Sequence, residues 1–367
     1  MRSSRLTLLG LVVVAGCADG DLTSPPAGAP RAEAAVGAAG PVVMTRNVYL
    51  GADIDPLLAA ENLQDVVVRG AQVWAEIQAT DFARRAGILA ADIAGARPHL
   101  VGLQEVATFR IESPSNPTSA ATEVAYDYLG LLLDSLEARG AYYRVAAYVE
   151  GNDIELPILT PHGLDDVRFT QAEAILARSD VPTENAQGAP YGARINATIG
   201  GDNGPPVSLL RAWASVDATV GRHAFRFIST HLEVQRFAPV QAGQASELLA
   251  LADMSPLPVI LVGDLNSAAD GTQTDTYARL RDAAFRDLWL PRGTSGFTCC
   301  QAKDLSNATS LLDQRIDYVL IRGFSDTGSN GVGARVHLVG EQRSAAGWGS
   351  DHAGVVAALR LPPGLTR

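Results

Sequence analysis

Eight polar residues, Asn47, Glu105, His231, Asp264, Asn266, Asp317, Asp351 and His352, each stand beside an apolar, strand-like run. The clearest case is Val259-Ile260-Leu261-Val262-Gly263-Asp264-Leu265-Asn266. Four apolar residues rich in β-branching predict a buried strand. Gly263 lets the backbone turn tightly, and Asp264 and Asn266 follow at once. A carboxylate and an amide set at a sheet rim can bind a hard metal ion or a nucleophilic water and orient both. On its own this stretch reads more readily as a strand closed by an Asp-x-Asn turn. The other strand ends are what make it a site.

The elements that must position these groups follow in order. Residues 41–47 predict a first strand with Asn47 at its end, and 48–53 a loop. Asp81 is the N-cap of an amphipathic helix in which Phe82, Ala86, Leu89 and Ile93 recur at helical spacing. Arg97-Pro98 stops it, and 100–103 form a second buried strand ending in Gln104-Glu105. Residues 108–122 read as loop, 128–138 as helix, 143–149 as strand, 151–170 as a polar excursion and 174–178 as strand. A long surface loop is expected over 183–207, then strands at 211–216 and 223–229. The second alternates, with Phe225 and Phe227 inward, and runs into Thr230-His231-Leu232-Glu233. A helix over 242–252 leads into Val259. After a long loop, 291–314, comes a strand at 315–321 with Asp317 inside it, and a last loop delivers Ser350-Asp351-His352 before a closing strand, 355–359. Strands outnumber helices and often follow each other directly. The expected fold is therefore an α/β sandwich of four layers, α-β-β-α, with two mixed sheets face to face and helices outside.

Taken in order, Arg46-Asn47, Gln104-Glu105, Thr230-His231-Leu232, Gly263-Asp264-Leu265-Asn266, Arg315-Ile316-Asp317-Tyr318 and Ser350-Asp351-His352 resemble the successive motifs of the endonuclease/exonuclease/phosphatase family, whose fold is DNase I-like. Each motif alone is weak, and the signal lies in six of them in one order. The resemblance covers roughly residues 42–360, and 42–367 are assigned to that domain.

The resemblance implies a role for each residue. Glu105, helped by Asn47, would hold the principal divalent metal, with Asp351 beside it. Mg²⁺, or Mn²⁺ or Ca²⁺, suits such hard oxygen donors better than zinc. Asp264 would activate the attacking water, Asn266 would orient Asp264 and a phosphate oxygen, and His352 would contact the phosphoryl oxygens. His231 would hydrogen-bond the phosphate or assist the leaving group. The physics agrees independently: phosphodiester hydrolysis needs neutralised phosphate charge, an aligned water and a stabilised leaving oxygen. Asp317 lies in an apolar strand, where an unpaired charge is costly, so it needs a partner; His352 and Arg315 compete for it. The phosphate-contacting Tyr has candidates in Tyr126, Tyr142 and Tyr143, and a basic partner in Arg168 or Arg178.

Composition bounds the substrate. Hydrophobic content of 47% supplies a large core, while a net charge of −11 advertises no basic track for nucleic acid. Arg2, Arg5 and the apolar run 6–14, ending in Val14-Ala15-Gly16-Cys17, read as an export signal (1–16) with a bacterial lipobox. Cys17 would carry the lipid, residues 17–41 would be a flexible tether, and the protein would face the periplasm or cell surface, acting as a monomer. Removing residues 1–16 takes away Arg2 and Arg5 and no acid, moving the formal charge from −11 to −13. Neighbouring Cys299 and Cys300 would form either a vicinal disulfide or two buried thiols. The expected activity is divalent-metal-dependent hydrolysis of a phosphate ester: nucleic acid, a phospholipid headgroup or a small phosphoester. A sphingomyelinase or phospholipase C-like enzyme, or an inositol-phosphate phosphatase, is the alternative within this chemistry. A non-catalytic surface lipoprotein is the alternative outside it.

Overall fold

A computed structural model describes residues 40–202, 204–324 and 332–361. The leader (1–16), Cys17 and the tether up to residue 39 lie outside the described residues. The chain runs β1 (Val42–Asn47), α1 (Asp55–Leu58), α2 (Leu63–Ala79), α3 (Phe82–Ala96), β2 (Leu100–Glu112), β3 (Glu123–Asp127), α4 (Tyr128–Glu137), β4 (Tyr143–Thr160) and β5 (Gly163–Arg178). It continues through β6 (Thr183–Pro190), β7 (Ile195–Thr198), β8 (Pro206–Leu209), β9 (Ala212–Val220), β10 (His223–His231), α5 (Ala238–Asp253), β11 (Val259–Asp264) and α6 (Thr276–Asp282). The last elements are β12 (Arg286–Asp287), β13 (Asp317–Arg322), β14 (Gly333–Val339) and β15 (Gly354–Arg360).

Among the described residues the strands form two large sheets and one small one. The first has the order β14-β15-β1-β2-β5-β4 with β3 added to β2, the second β12-β13-β11-β10-β9-β6, and β7 pairs with β8. The period of two along each strand sorts the apolar residues into layers. Val43, Ile175, Phe225, Phe227, Ile260, Val262, Val319 and Ala357 share one core between the sheets. Met44, Val101, Leu176 and Val356, from the opposite face of the first sheet, pack instead with α2, α3 and α4. Ile228, Leu261 and Leu320 do the same with α5 and α6 on the second. Helix layer, sheet, sheet, helix layer is the expected α-β-β-α sandwich. Gly102 marks how closely the sheets approach: a Cβ there would fall 2.5 Å from Val262 Cγ2.

Several local expectations are corrected. The second strand does not end at Glu105 but continues to Glu112, so part of the expected 108–122 loop is strand. The polar excursion over 151–170 is a long hairpin, β4 paired with β5 from Tyr143↔Arg178 to Thr160↔Gly163. Helix α2 packs against β4, while Asp153, Leu159 and Leu164 of the hairpin are exposed. The surface loop over 183–207 contains β6 and β7, edge strands rich in the Gly, Asn and Pro that ordinarily mark turns. Helix α3 begins as its sequence predicts, Asp81 accepting the Arg84 N–H at its N-terminus. No helix among the described residues is long and apolar enough to cross a membrane.

Candidate active site

The rows of side chains that form the inter-sheet core are apolar at one end and polar at the other. Val43, Thr45 and Asn47 follow one another on β1, Phe225, Phe227, Ser229 and His231 on β10, and Ile260, Val262 and Asp264 on β11. The parallel pairs β1–β2 and β10–β11 set Asn47 opposite Gln104 and His231 opposite Asp264. Antiparallel β13 begins at the same rim, with Asp317 opposite Asp264. Behind this mouth Gln104 bridges the sheets, accepting from Thr45 Oγ1 (3.1 Å) and donating to Ser229 Oγ (3.0 Å).

All eight sequence-predicted residues meet here. Asn47 Nδ2 donates to Glu105 Oε1 (2.9 Å) and to Asp264 Oδ2 (3.2 Å), and Asn47 Oδ1 accepts the Tyr49 N–H (2.9 Å). The other Glu105 oxygen accepts the Leu50 N–H (2.7 Å). Glu105 sits at a bulge, where pairing with β5 slips between Leu103 and Val106, and its φ is +59°. Such left-handed backbone costs about 1 kcal/mol or more in a non-glycine residue, and a bulge re-aims a side chain. Asn266, with φ +45°, is in the same region; its N–H caps Asp264 Oδ1 (2.9 Å) and its amide reaches Leu232 O (3.0 Å) and His231 Nε2 (3.1 Å).

The charges are tightly interlocked. His352 Nδ1 lies 2.9 Å from Asp317 Oδ2, while its Nε2 is 3.8 Å from Asp264 Oδ2 and 4.0 Å from Asp351 Oδ1. Asp317 thus takes His352, and its rival Arg315 pairs with Asp287 (2.6 Å). Burial disfavours a charged His352, but Asp317, Asp351 and Asp264 prevail and hold its pKa well above the ordinary value. Burial and the neighbouring Asp317 push the Asp264 carboxyl up to about 7. Burial again, with Glu105 nearby, lifts Asp351 to about 6, although His352 opposes. His231 goes the other way, held well below its usual value by burial, Arg211 and His352. One Arg211 nitrogen lies 3.1 Å from each His231 ring nitrogen.

The sequence model of the Endonuclease/Exonuclease/phosphatase family matches residues 47–352, from the first of these site residues to the last. The chain belongs to this family. No curated protein matches it. Among solved structures it resembles a family protein from Leptotrichia buccalis C-1013-b at 13% identity and TM-score 0.52, covering 87% of this chain and 99% of that one. A family protein from Bacteroides thetaiotaomicron gives 17% identity and TM-score 0.52 over 88% and 98% of the chains. D. rerio TDP2, solved with a single-strand DNA product, gives 16% and 0.50 over 86% and 97%. At these identities the likeness is one of fold.

Within this family member the site opens into a cleft of about 600 Å³. Its walls hold residues that sequence reasoning missed: Tyr49, Arg211, Glu233 and Arg236. Arg211 reaches both Glu233 oxygens (3.3 and 3.4 Å). Behind His231 lies Glu173, its Oε1 3.9 Å from His231 Nδ1 and its Oε2 without a hydrogen-bond partner among the described residues. Burial holds the Glu173 carboxyl well above the usual range. The only sequence signal for it is an acid inside the apolar run 172–177.

None of the candidate tyrosines is among the cleft-lining residues: Tyr143 donates to Pro98 O (2.7 Å), Tyr126 packs on Trp74, and Tyr142 is exposed. Arg168 and Arg178 are engaged with Asp153 and Asp180 instead. Cys299 and Cys300 form a disulfide whose sulfurs lie within 4.8 Å of a His352 ring nitrogen, and Cys300, Gln301 and Lys303 line one wall.

Proposed function

We propose that the protein is a divalent-metal-dependent phosphoric ester hydrolase in which water attacks phosphorus. The observation that carries this reading is the meeting of Glu105, Asp264, Asp317, Asp351 and His352 with two amides at one rim. The Glu105 carboxylate stands near enough to Asp351 to raise the cost of ionising Asp351, and a divalent cation between these hard oxygens would relieve it. The donor set therefore fits Mg²⁺, Mn²⁺ or Ca²⁺, held by Glu105 and Asp351 with Asn47 aiming the first carboxylate. Bound there, the ion would supply Lewis-acid neutralisation of the phosphate charge.

The protein groups divide the remaining work. Asp264, its two oxygens fixed by the Asn266 N–H and the Asn47 amide, takes a proton from the attacking water. His352, kept charged by Asp317, presents Nε2–H to a phosphoryl oxygen. His231 is neutral at pH 7, so it serves as a hydrogen-bond donor rather than a source of charge, and Arg211 beside it supplies the positive field. The substrate is a phosphoester. The alternatives of a phospholipase C-like or inositol-phosphate substrate use the same machinery.

Bis-p-nitrophenyl phosphate with Mg²⁺ or Mn²⁺ tests the reading: turnover is expected, abolished by EDTA and lowered about 10³-fold in Asp264→Asn. Absence of turnover under every metal would instead support a non-catalytic binding lipoprotein. The same proposal keeps the protein outside the cytoplasm on a lipid at Cys17, a reading supported by the residue order of 1–17 alone. Cys17→Ser should release it from the membrane fraction.

A further inference from the structure

A second cavity, of about 80 Å³, lies between α1 and α2 on one side and β2, β4 and β5 on the other. It is contiguous with the catalytic cleft: Leu50, Ile54, Leu58, Asn152 and Leu209 line both. Leu50 joins the two most directly, its N–H holding the Glu105 carboxylate while its side chain faces the cavity. The lining is otherwise aliphatic and aromatic, and its one amide makes no demand on a ligand. Asn152 Oδ1 accepts the Leu210 N–H (2.6 Å) and Nδ2 donates to Gln171 Oε1 (3.1 Å).

One wall of the cavity is a single strand. Asn152, Ile154, Leu156 and Ile158 line it from alternate positions of one strand, a row about 20 Å long at roughly 3.3 Å per residue. So small an apolar volume has room for a slim alkyl group and none for a sugar or a base. The cleft charges point the same way. Arg236 is already paired in bidentate fashion with Asp55 (2.9 and 3.1 Å), and Lys303 with Asp53. With Arg211 held by Glu233, the described walls offer no unpaired cationic track for a second and third phosphate.

We infer that this channel is a substrate subsite for an unbranched aliphatic group, and that the phosphoester hydrolysed at the rim carries such a chain. The inference rests on the hydrolase reading above and names its substrate class. Segment α1 is the shared wall: Ile54, Leu57 and Leu58 face the chain, and Asp53 and Asp55 tie the segment across the cleft.

The test uses the full chain with Mn²⁺ and a series of alkyl p-nitrophenyl phosphates, methyl to octyl, below their micelle concentrations. Water adds its oxygen to phosphorus, p-nitrophenol leaves with a proton, and the alkyl phosphate is the second product. KM should fall about three- to fourfold per added methylene until the channel is full. In Ile154→Phe or Leu156→Phe the octyl-to-methyl ratio of kcat/KM should collapse at least tenfold. Binding of octylphosphonate and methylphosphonate, followed by the fluorescence of Trp74 in the channel wall, gives a readout that needs no turnover.

Turnover with no dependence on chain length, and equal affinity for the two phosphonates, overturns the channel and leaves the hydrolase. Tighter octylphosphonate binding, weakened in the filled variants, supports the channel even if no ester is cleaved, in which case the hydrolase reading falls alone. Neither turnover nor a chain-length preference overturns both.

Discussion

Asp264 illustrates how the site works residue by residue. Alone in the inter-sheet core it would stay protonated; Asn47, Asn266 and charged His352 make its ionised form accessible near neutrality. The Asp264–His352 pair titrates as a unit. Activity should rise on the acid side as the carboxyl loses its proton, and fall on the alkaline side once His352 loses its own. His352→Ala should remove the alkaline fall and lower kcat about 10²-fold or more. A pH–rate profile with the same alkaline limb in that variant would show that His352 is not the charged group. Glu173 extends the logic: burial behind His231 disfavours its ionised form.

Among the elements, the loops after β1 and before β15 need the firmest support, because they carry Leu50 and Asp351. Buried Arg85 of α3 supplies it, donating to the carbonyls of Val48 (2.7 Å), Tyr49 (3.1 Å), Gly349 (3.1 Å) and Thr80 (3.2 Å). Tyr49, Phe82 and Tyr128 surround its guanidinium with ring faces at 4.7–5.7 Å. The cost of burying this cation lowers its pKa, and among the described residues its hydrogen bonds go to carbonyls rather than to a carboxylate. Its substitution leaves four carbonyls to find new partners. Arg85→Met should lower the unfolding free energy by at least about 3 kcal/mol in urea titration and weaken metal affinity, with Arg85→Lys recovering part of both. Equal stability of Arg85→Met and wild type would remove the clamp from this account.

For the molecule as a whole, the crowded carboxylates link stability to pH and metal. In the metal-free protein the Asp264 carboxyl sits at about 7 instead of the usual 3.8. The unfolded chain ionises it first, so stability falls as pH rises from about 4 to about 7. His352 works in the same direction: its pKa is raised by folding, so the stability it contributes below about 6.5 is lost as pH climbs through the folded value. Protein treated with EDTA should therefore show a lower Tm at pH 8 than at pH 5. Saturating Mg²⁺ or Ca²⁺ should raise the Tm at pH 8, by the equivalent of about 2.7 kcal/mol at a hundredfold excess over Kd. A metal-free Tm that rises with pH would contradict the buried-carboxylate picture.

Asn47, His231 and Asp264 were readable in the chain because each stands where an alternating strand row changes from apolar to polar, while Asn266, Asp351 and His352, which lie in loops, were found through the ordered motifs. The sandwich was readable for the same reason: Val43 and Met44, one residue apart, already belong to different faces. Glu105 was found but misplaced, since only the pairing of β2 with β5 shows that its strand continues through a bulge. Glu173 was hidden, because an acid in an apolar strand says nothing of which histidine lies behind it.

Sequence alone thus determined the order of the strands that carry the site and the side chains presented near their ends, the first a consequence of short-range periodicity. Only tertiary structure decided which charges share a pocket, that Asp317 takes His352 while Arg315 takes Asp287, and that an apolar channel opens beside Glu105. Those outcomes depend on distances between residues far apart in the chain, and electrostatic energies and cavities exist only once such distances are set.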